Sequence, residues 1–203
     1  LQKDTIWIAQ KGKEPERLAD IHELKLLGTH NYENVMAASG VALCMGAPIG
    51  TVQSVLKEFR GVKHRIEFVR DLHGVLYYND SKATNPDAAI HGIGAMNRRT
   101  MLIAGGYDKN LEFDDWIESF AGKVKCLLLI GQTKDKIAVC ARKHGFENIV
   151  CCDTLKEAVD ICYRLSEPGE AVLLSPACAS WGDFKDYTQR GDLFRQYVMD
   201  LPE

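Results

Sequence analysis

The sequence predicts an α/β fold built on a mostly parallel sheet, and three observations carry that prediction. Beyond about residue 64, short apolar runs such as TMLIA at 100–104 and VKCLLLI at 124–130 alternate with segments of helical periodicity. Those runs are nearly continuous in apolar residues, which is the pattern of strands buried on both faces by helices. The 203 residues, 46% hydrophobic and 26% charged, suffice to close a core without metals or disulfides.

Taken in order, residues 5–9 (TIWIA) and 24–27 (LKLL) read as short strands, a small sheet preceding the first helix. They flank the charged, turn-rich stretch KGKEPERLADIHE. Residues 31–45 place apolar side chains at 35, 38, 41, 42 and 45, a helical spacing that Gly46-Ala47-Pro48 stops. A second helix follows over 51–59 and Gly61 breaks it, so a boundary is expected near 60–64, dividing 1–60 from 61–203. VKHRIEFVRDLHGVLYYND then reads as strands 66–70 and 75–79 around a His73-Gly74 turn. Helices 86–96, 113–121, 134–144, 155–166 and 189–200 alternate with strands 100–104, 124–130, 148–152 and 170–174. Pro86 opens the first of these helices, and Thr154 with Glu157 forms a capping box.

A formal charge of −3 provides no bulk field for a polyanion, which argues against nucleic acid as a partner. No stretch approaches the ~18 consecutive apolar residues of a membrane span. Seven cysteines, odd in number and without C-x2-C spacing, read as reduced thiols of a cytoplasmic protein and make structural zinc improbable. The chain opens Leu-Gln-Lys-Asp without initiator Met, signal or transit pattern, and is expected to be a piece of a longer protein.

In open parallel sheets the ligand crevice lies beyond the carboxyl ends of the strands, which directs attention to four clusters. In Thr29-His30-Asn31-Tyr32-Glu33-Asn34, two amides three residues apart share a helical face and could read a nucleobase edge, unless Asn31 is merely an N-cap. Asn79-Asp80-Ser81-Lys82-Ala83-Thr84-Asn85 sits between a strand and a helix N-terminus, where amide dipoles and Lys82 suit a carboxylate or phosphate; a solvated turn is the alternative. Gly105-Gly106-Tyr107-Asp108-Lys109 allows a close backbone approach and brings in a cation, or is a plain connecting loop. Ser175-Pro176-Ala177-Cys178-Ala179-Ser180-Trp181 leaves room for substrate and offers hydroxyls to a carboxylate. It lacks a G-x-S-x-G elbow, and Cys178 reads as a buried, inert thiol. Neither a G-x-x-x-x-G-K-[ST] loop nor a G-x-G-x-x-G after a strand occurs, so any ATP phosphate loop lies outside this chain.

In order, GTHNYENVMAA (28–38), HRIEFV (64–69), YNDSKATNPDAA (78–89), GGYDK (105–109), LLSPACASWGDF (173–184) and YTQRGDLF (187–194) resemble the Mur ligases across nearly the whole chain. The HN-x-x-N and HR-x-E runs are shared with the related folylpolyglutamate synthases, whereas NDSKATN with SPACAS resembles the branch that joins D-glutamate to UDP-N-acetylmuramoyl-L-alanine. The resemblance implies that 1–60 ends an ATP-binding central domain and that 61–203 is a Rossmann-like C-terminal domain that binds D-glutamate. It implies an ATP-dependent amide ligase of peptidoglycan synthesis, working through an acyl phosphate with ATP and Mg2+. The magnesium ligands and phosphate loop would lie mainly in an N-terminal part, so that this chain holds no metal site and is inactive alone. The protein would be monomeric. Asn31, Asn34, Arg65 and Asp80 would contact the nucleotide; Lys82 and Lys109 would serve catalysis; Thr84, Lys109, Ser180 and the backbone near Tyr187 would hold D-glutamate. Gly182 stands where the family usually has an acid, and Tyr187 where it often has Phe. The alternatives are a folylpolyglutamate-type ligase or a binding module that kept the fold.

Overall fold

The apolar runs become the centre of a six-stranded sheet in the computed structural model, which describes residues 1–12 and 14–203 and divides into two units, Leu1–Gly61 and Val62–Glu203.

In the first unit, β1 (Thr5–Ile8) pairs antiparallel with β2 (Glu16–Asp20). Residues 24–27 are not a strand: Asp20 caps a 3-10 turn, Ile21–Glu23, and the chain then reaches the next helix without regular structure. LKLL is apolar because Leu24 joins the small core of Ile6, Leu18, Ala19, Val35 and Val52, not because it pairs with a neighbour. The pairing partner is the charged ERLAD segment, in which only Leu18 and Ala19 are buried. α1 (Thr29–Cys44) and α2 (Ile49–Glu58) complete this core. Its outer surface carries Val41, Met45, Val55 and Phe59 exposed.

In the second unit the sheet order is β3-β4-β8-β5-β6-β7. β3 (Glu67–Leu72) is antiparallel to β4 (Val75–Asn79), with His73-Gly74 at the turn, both at positive φ. β4 is parallel to β8 (Ala171–Leu174), which is parallel to β5 (Thr100–Gly105). β6 (Val124–Ile130) and β7 (Ile149–Cys151) extend the parallel set.

The helices lie on both faces, as the continuous apolar runs require. On one face, α6 (Leu155–Leu165) and α7 (Tyr187–Met199) bury Val159, Cys162, Phe194 and Val198 against Met101, Ile103, Leu128 and Val172. The period-2 alternation turns Leu102, Ala104, Leu127 and Leu129 to the opposite face. There α3 (Pro86–Gly94), α4 (Asp114–Glu118) and α5 (Lys134–Lys143) pack in succession.

α4 is half the length that the sequence suggests, because Ala121 and Gly122 both take positive φ and turn the chain into β6. α7 begins two residues earlier than expected: Asp186 caps it, its carboxylate accepting from the Gln189 amide at 2.9 Å. At α6, Thr154 Oγ1 accepts from Glu157 N at 3.1 Å, but the Glu157 carboxylate reaches back to the Asp153 amide instead of closing the box on Thr154. All seven cysteines are free; Cys126, Cys152, Cys162 and Cys178 are buried. No helix among the described residues is long and apolar enough to cross a membrane.

Candidate functional site

Because β8 lies between β4 and β5 and all three run parallel, their C-terminal ends form one continuous edge. The segments that follow them, 80–85, 175–186 and 106–110, are therefore spatial neighbours although nearly 100 residues of sequence separate the extremes. Backbone bonds lace them together: Asp80 N donates to Leu174 O at 2.7 Å, Gly105 N to Pro176 O at 2.8 Å, and Tyr107 N to Ala179 O at 2.9 Å.

The Gly105-Gly106 pair is forced by this lacing. Both residues have positive φ, and a Cβ would strike the Ile130 carbonyl from Gly105 and the Ala179 carbonyl from Gly106. Thr133, the residue before α5, donates through Oγ1 to Gly106 O at 3.2 Å and lies 3.4 Å from Cys178 Sγ. Burial raises the Cys178 thiol to about 11, so it is no nucleophile at neutral pH.

Asp80 is almost fully buried. Ser175 Oγ donates to its Oδ2 at 2.8 Å and the Ile66 amide to its Oδ1 at 3.3 Å. Burial pushes its carboxyl up to about 7, although these hydrogen bonds and the nearby Arg65 guanidinium pull the other way. The Ser175 hydroxyl is thus committed to Asp80 and is not offered to a ligand. Gly92 of α3 makes room for the pair, since a Cβ there would sit 2.6 Å from Asp80 Oδ2 and 2.7 Å from Ser175 Oγ. With both oxygens occupied, Asp80 does not fit a magnesium ligand, and no step below runs through that ion.

Beside it, buried Asn79 donates from Nδ2 towards His64 Nδ1 at 3.0 Å, Glu67 Oε2 at 3.1 Å and Gly191 O at 3.2 Å. His64 holds positive φ, its carbonyl accepts from Lys82 N at 3.0 Å, and its ring meets Tyr187 edge-on at 6.0 Å. The HR-x-E run therefore sets the path of the Lys82 segment.

Lys82 and Thr84 are half-buried, Ser180 is buried, and Arg65 and Lys109 are exposed. The Lys82 ammonium lies 3.8 Å from the Tyr187 ring centre, and that of Lys109 lies 4.5 Å from the Trp181 ring. Tyr187 also accepts a bond at its carbonyl from Ser81 Oγ at 2.8 Å. Asn31 and Asn34 belong to the first unit. Asn31 is not an N-cap: the helix starts at Thr29 with Gly28 as cap. Its Nδ2 donates to Leu27 O at 2.7 Å, and Asn34 Nδ2 donates to Asn31 Oδ1 at 3.4 Å, so the two amides do share a face.

Sequence reasoning missed Arg190. Its guanidinium is wholly buried and donates Nε to Ser81 Oγ at 3.0 Å, Nη2 to Ser81 O at 2.8 Å and Nη1 to Cys178 O at 3.1 Å. It ties the segment after β4 to the segment after β8. The available signal was positional: Arg190 falls on the stripe with Gly191, Phe194 and Val198 that α7 buries, where a cation needs a reason.

No metal ligands are expected in this chain. Among the described residues, one group has ligating atoms within 4.8 Å of one another: Asp114, Cys140 and His144. The Asp114 carboxylate there is already met by Lys143 Nζ and His144 Nε2, each at 2.8 Å, which explains the cluster as an ionic tie between α4 and α5.

A parallel sheet with cations, hydroxyls and a helix N-terminus along one strand-end edge has the chemistry to hold a small anionic ligand. Residues 64–178 match the Mur ligase, glutamate ligase domain. The UDP-N-acetylmuramoylalanine--D-glutamate ligase of Lachnoclostridium phytofermentans is 54% identical over 186 residues, covering 92% of this chain and 41% of that protein. The enzyme of the same name from Thermoanaerobacter sp. strain X514 is 47% identical over 203 residues, covering 99% of this chain and 44% of that protein. Among solved structures, a Mycobacterium tuberculosis folylpolyglutamate synthase complexed with ADP superposes with a TM-score of 0.65 at 16% identity, over 92% of this chain and 44% of the other. The UDP-N-acetylmuramate-alanine ligase MurC of Thermotoga maritima does so with a TM-score of 0.63 at 16% identity, over 92% and 40%. The chain belongs to the Mur ligase family. It spans about two fifths of the length of the curated relatives it matches.

Proposed function

We propose that the protein carrying this chain is an ATP-dependent ligase that joins D-glutamate to UDP-N-acetylmuramoyl-L-alanine, and that residues 62–203 hold D-glutamate. The observation that supports this most is the shared edge of β4, β8 and β5, because the segments that carry Lys82, Thr84, Lys109 and Ser180 each follow one of those strand ends. A dianionic amino acid needs cations and neutral donors together, and this edge offers both.

In this reading, the γ-phosphoryl group of ATP passes to the L-alanine carboxylate, giving an acyl phosphate. The D-glutamate amine attacks the acyl carbon, the tetrahedral adduct expels phosphate, and the amide remains. Such chemistry rests on positioning and on neutralising developing charge. Thr84 and Lys109 receive the α-carboxylate, Ser180 with the backbone near Tyr187 receives the side-chain carboxylate, and Lys82 faces the acyl phosphate. Arg65 takes ribose or phosphate, and Asn31 and Asn34 take adenine; Asp80, buried with a donor on each carboxylate oxygen, holds the segment after β4 instead of reaching the nucleotide. Residues 1–60 would close an ATP-binding domain whose phosphate loop and magnesium ligands lie elsewhere in the longer protein. The sequence offers neither a Walker-type loop nor a dinucleotide fingerprint, which agrees with that division.

The test is product formation. A full-length protein carrying this chain should form the D-glutamyl amide, release phosphate stoichiometrically and reject L-glutamate, while the 203-residue chain alone forms none. Transfer of L-glutamate to a folate, or amide formation by the chain alone, would overturn the reading.

A further inference from the structure

Lys82 and Lys109, the two cations given to the anionic substrates above, both rest on aromatic faces. The distances to the ring centres are 3.8 Å for Lys82 on Tyr187 and 4.5 Å for Lys109 on Trp181. Among the described residues neither ammonium stands in an ion pair. The two rings lie six residues apart, Trp181 in the connection from β8 to α7 and Tyr187 as the first residue of α7, and Tyr107 braces Trp181 with ring centres 5.5 Å apart. Trp181 is 54% exposed, so it is not there to fill the core.

We propose that Trp181 and Tyr187 are positioning residues that seat the two lysines for D-glutamate and its acceptor. An ammonium held by an acid would lose most of its field and would have to exchange one carboxylate for another when substrate enters. A ring face holds the ammonium through its quadrupole while leaving the full charge available on the opposite side. Each lysine is thereby fixed without being neutralised, and less side-chain entropy remains to be lost on binding.

The proposal rests on the D-glutamate reading, and the experiment separates the two. In full-length protein with 13C-labelled lysine, the ring current should displace the ε-methylene resonances of both lysines. Trp181→Leu should release only Lys109 and Tyr187→Leu only Lys82, whereas Trp181→Phe and Tyr187→Phe should keep the displacement. Trp181→Leu should raise the D-glutamate KM by about 2- to 5-fold, the weight of an exposed cation–π contact, Tyr187→Leu should lower kcat by a similar factor because Lys82 faces the acyl phosphate, and the Phe variants should do either by less. The ATP KM should stay in place, a split that general destabilisation would not give. Unchanged lysine resonances in the Leu variants, or equal kinetic effects for Leu and Phe, would overturn the proposal. If the resonances respond as stated but Lys109→Ala leaves the D-glutamate KM unmoved, the D-glutamate reading fails instead.

Discussion

Replacing Arg190 by Met tests whether a buried cation without an acid partner can hold a binding edge together. The side chain is fully inaccessible, so no water replaces the guanidinium, and the carbonyls of Ser81 and Cys178 lose their donors. Each orphaned buried carbonyl costs about 1–3 kcal/mol. Burial also lowers the guanidinium from its ordinary range to about 10, and the corresponding penalty, about 3 kcal/mol, disappears with the charge. With about 2 kcal/mol for each carbonyl and about 1 for the lost bond to the Ser81 hydroxyl, less that penalty, the net destabilisation is about 2 kcal/mol, or roughly 4–8 °C in Tm. Arg190→Lys, which can serve one carbonyl but not both, should fall between. Urea unfolding should show a lower midpoint at constant slope. Hydrogen exchange should accelerate in 80–85 and 176–182 more than in β6, because those are the segments the guanidinium joins. A stability within about 0.5 kcal/mol of the parent, or exchange that rises evenly through the sheet, would refute the reasoning.

Further outcomes follow from other residues. Asp80 titrates higher in the folded protein, at about 7, than in the unfolded chain, so its contribution is full below about pH 4 and is lost as pH rises towards 7. Asp80→Asn should flatten that part of the stability–pH curve, and an unaltered slope in urea titrations would contradict the burial argument. Gly105→Ala forces a Cβ into the Ile130 carbonyl of a central strand and should cost more than about 3 kcal/mol, measured by the unfolding midpoint; parental stability would show that the edge has slack. Leu1–Gly61 has a small core and an exposed apolar surface, so its amides in α1 should exchange faster than those of β5, β6 and β8, and equal protection would count against it.

How much of this was legible in the sequence depends on where each signal lives. β5, β6 and β8 were readable because both of their faces are buried, which leaves a continuous apolar run that needs no partner to be recognised. β2 was not, since ERLAD buries only two residues and earns its strand character from register with β1, while LKLL is apolar for packing alone. The insertion of β8 between β4 and β5 is a non-local fact, and no local pattern announces it. It is nevertheless what brings Lys82, Lys109 and Ser180 to one edge. The motif residues could be singled out beforehand, but Asp80 and Ser175 could not be recognised as a buried pair. Nor could the lysine–aromatic seats, because those depend on side chains from segments far apart in the chain.

The most direct measurement is the kinetic effect of Lys109→Ala in a full-length protein carrying this chain, with D-glutamate and ATP varied separately. Losing a charge-assisted bond of roughly 1.5–3 kcal/mol should weaken D-glutamate use about 10- to 150-fold. Thr84→Ala and Ser180→Ala should cost on the order of 1 kcal/mol each in the same parameter, and Asn31→Ala and Asn34→Ala should raise the KM for ATP instead. If Lys109→Ala weakened ATP and left D-glutamate kinetics intact, the D-glutamate pocket could not lie at the shared ends of β4, β8 and β5.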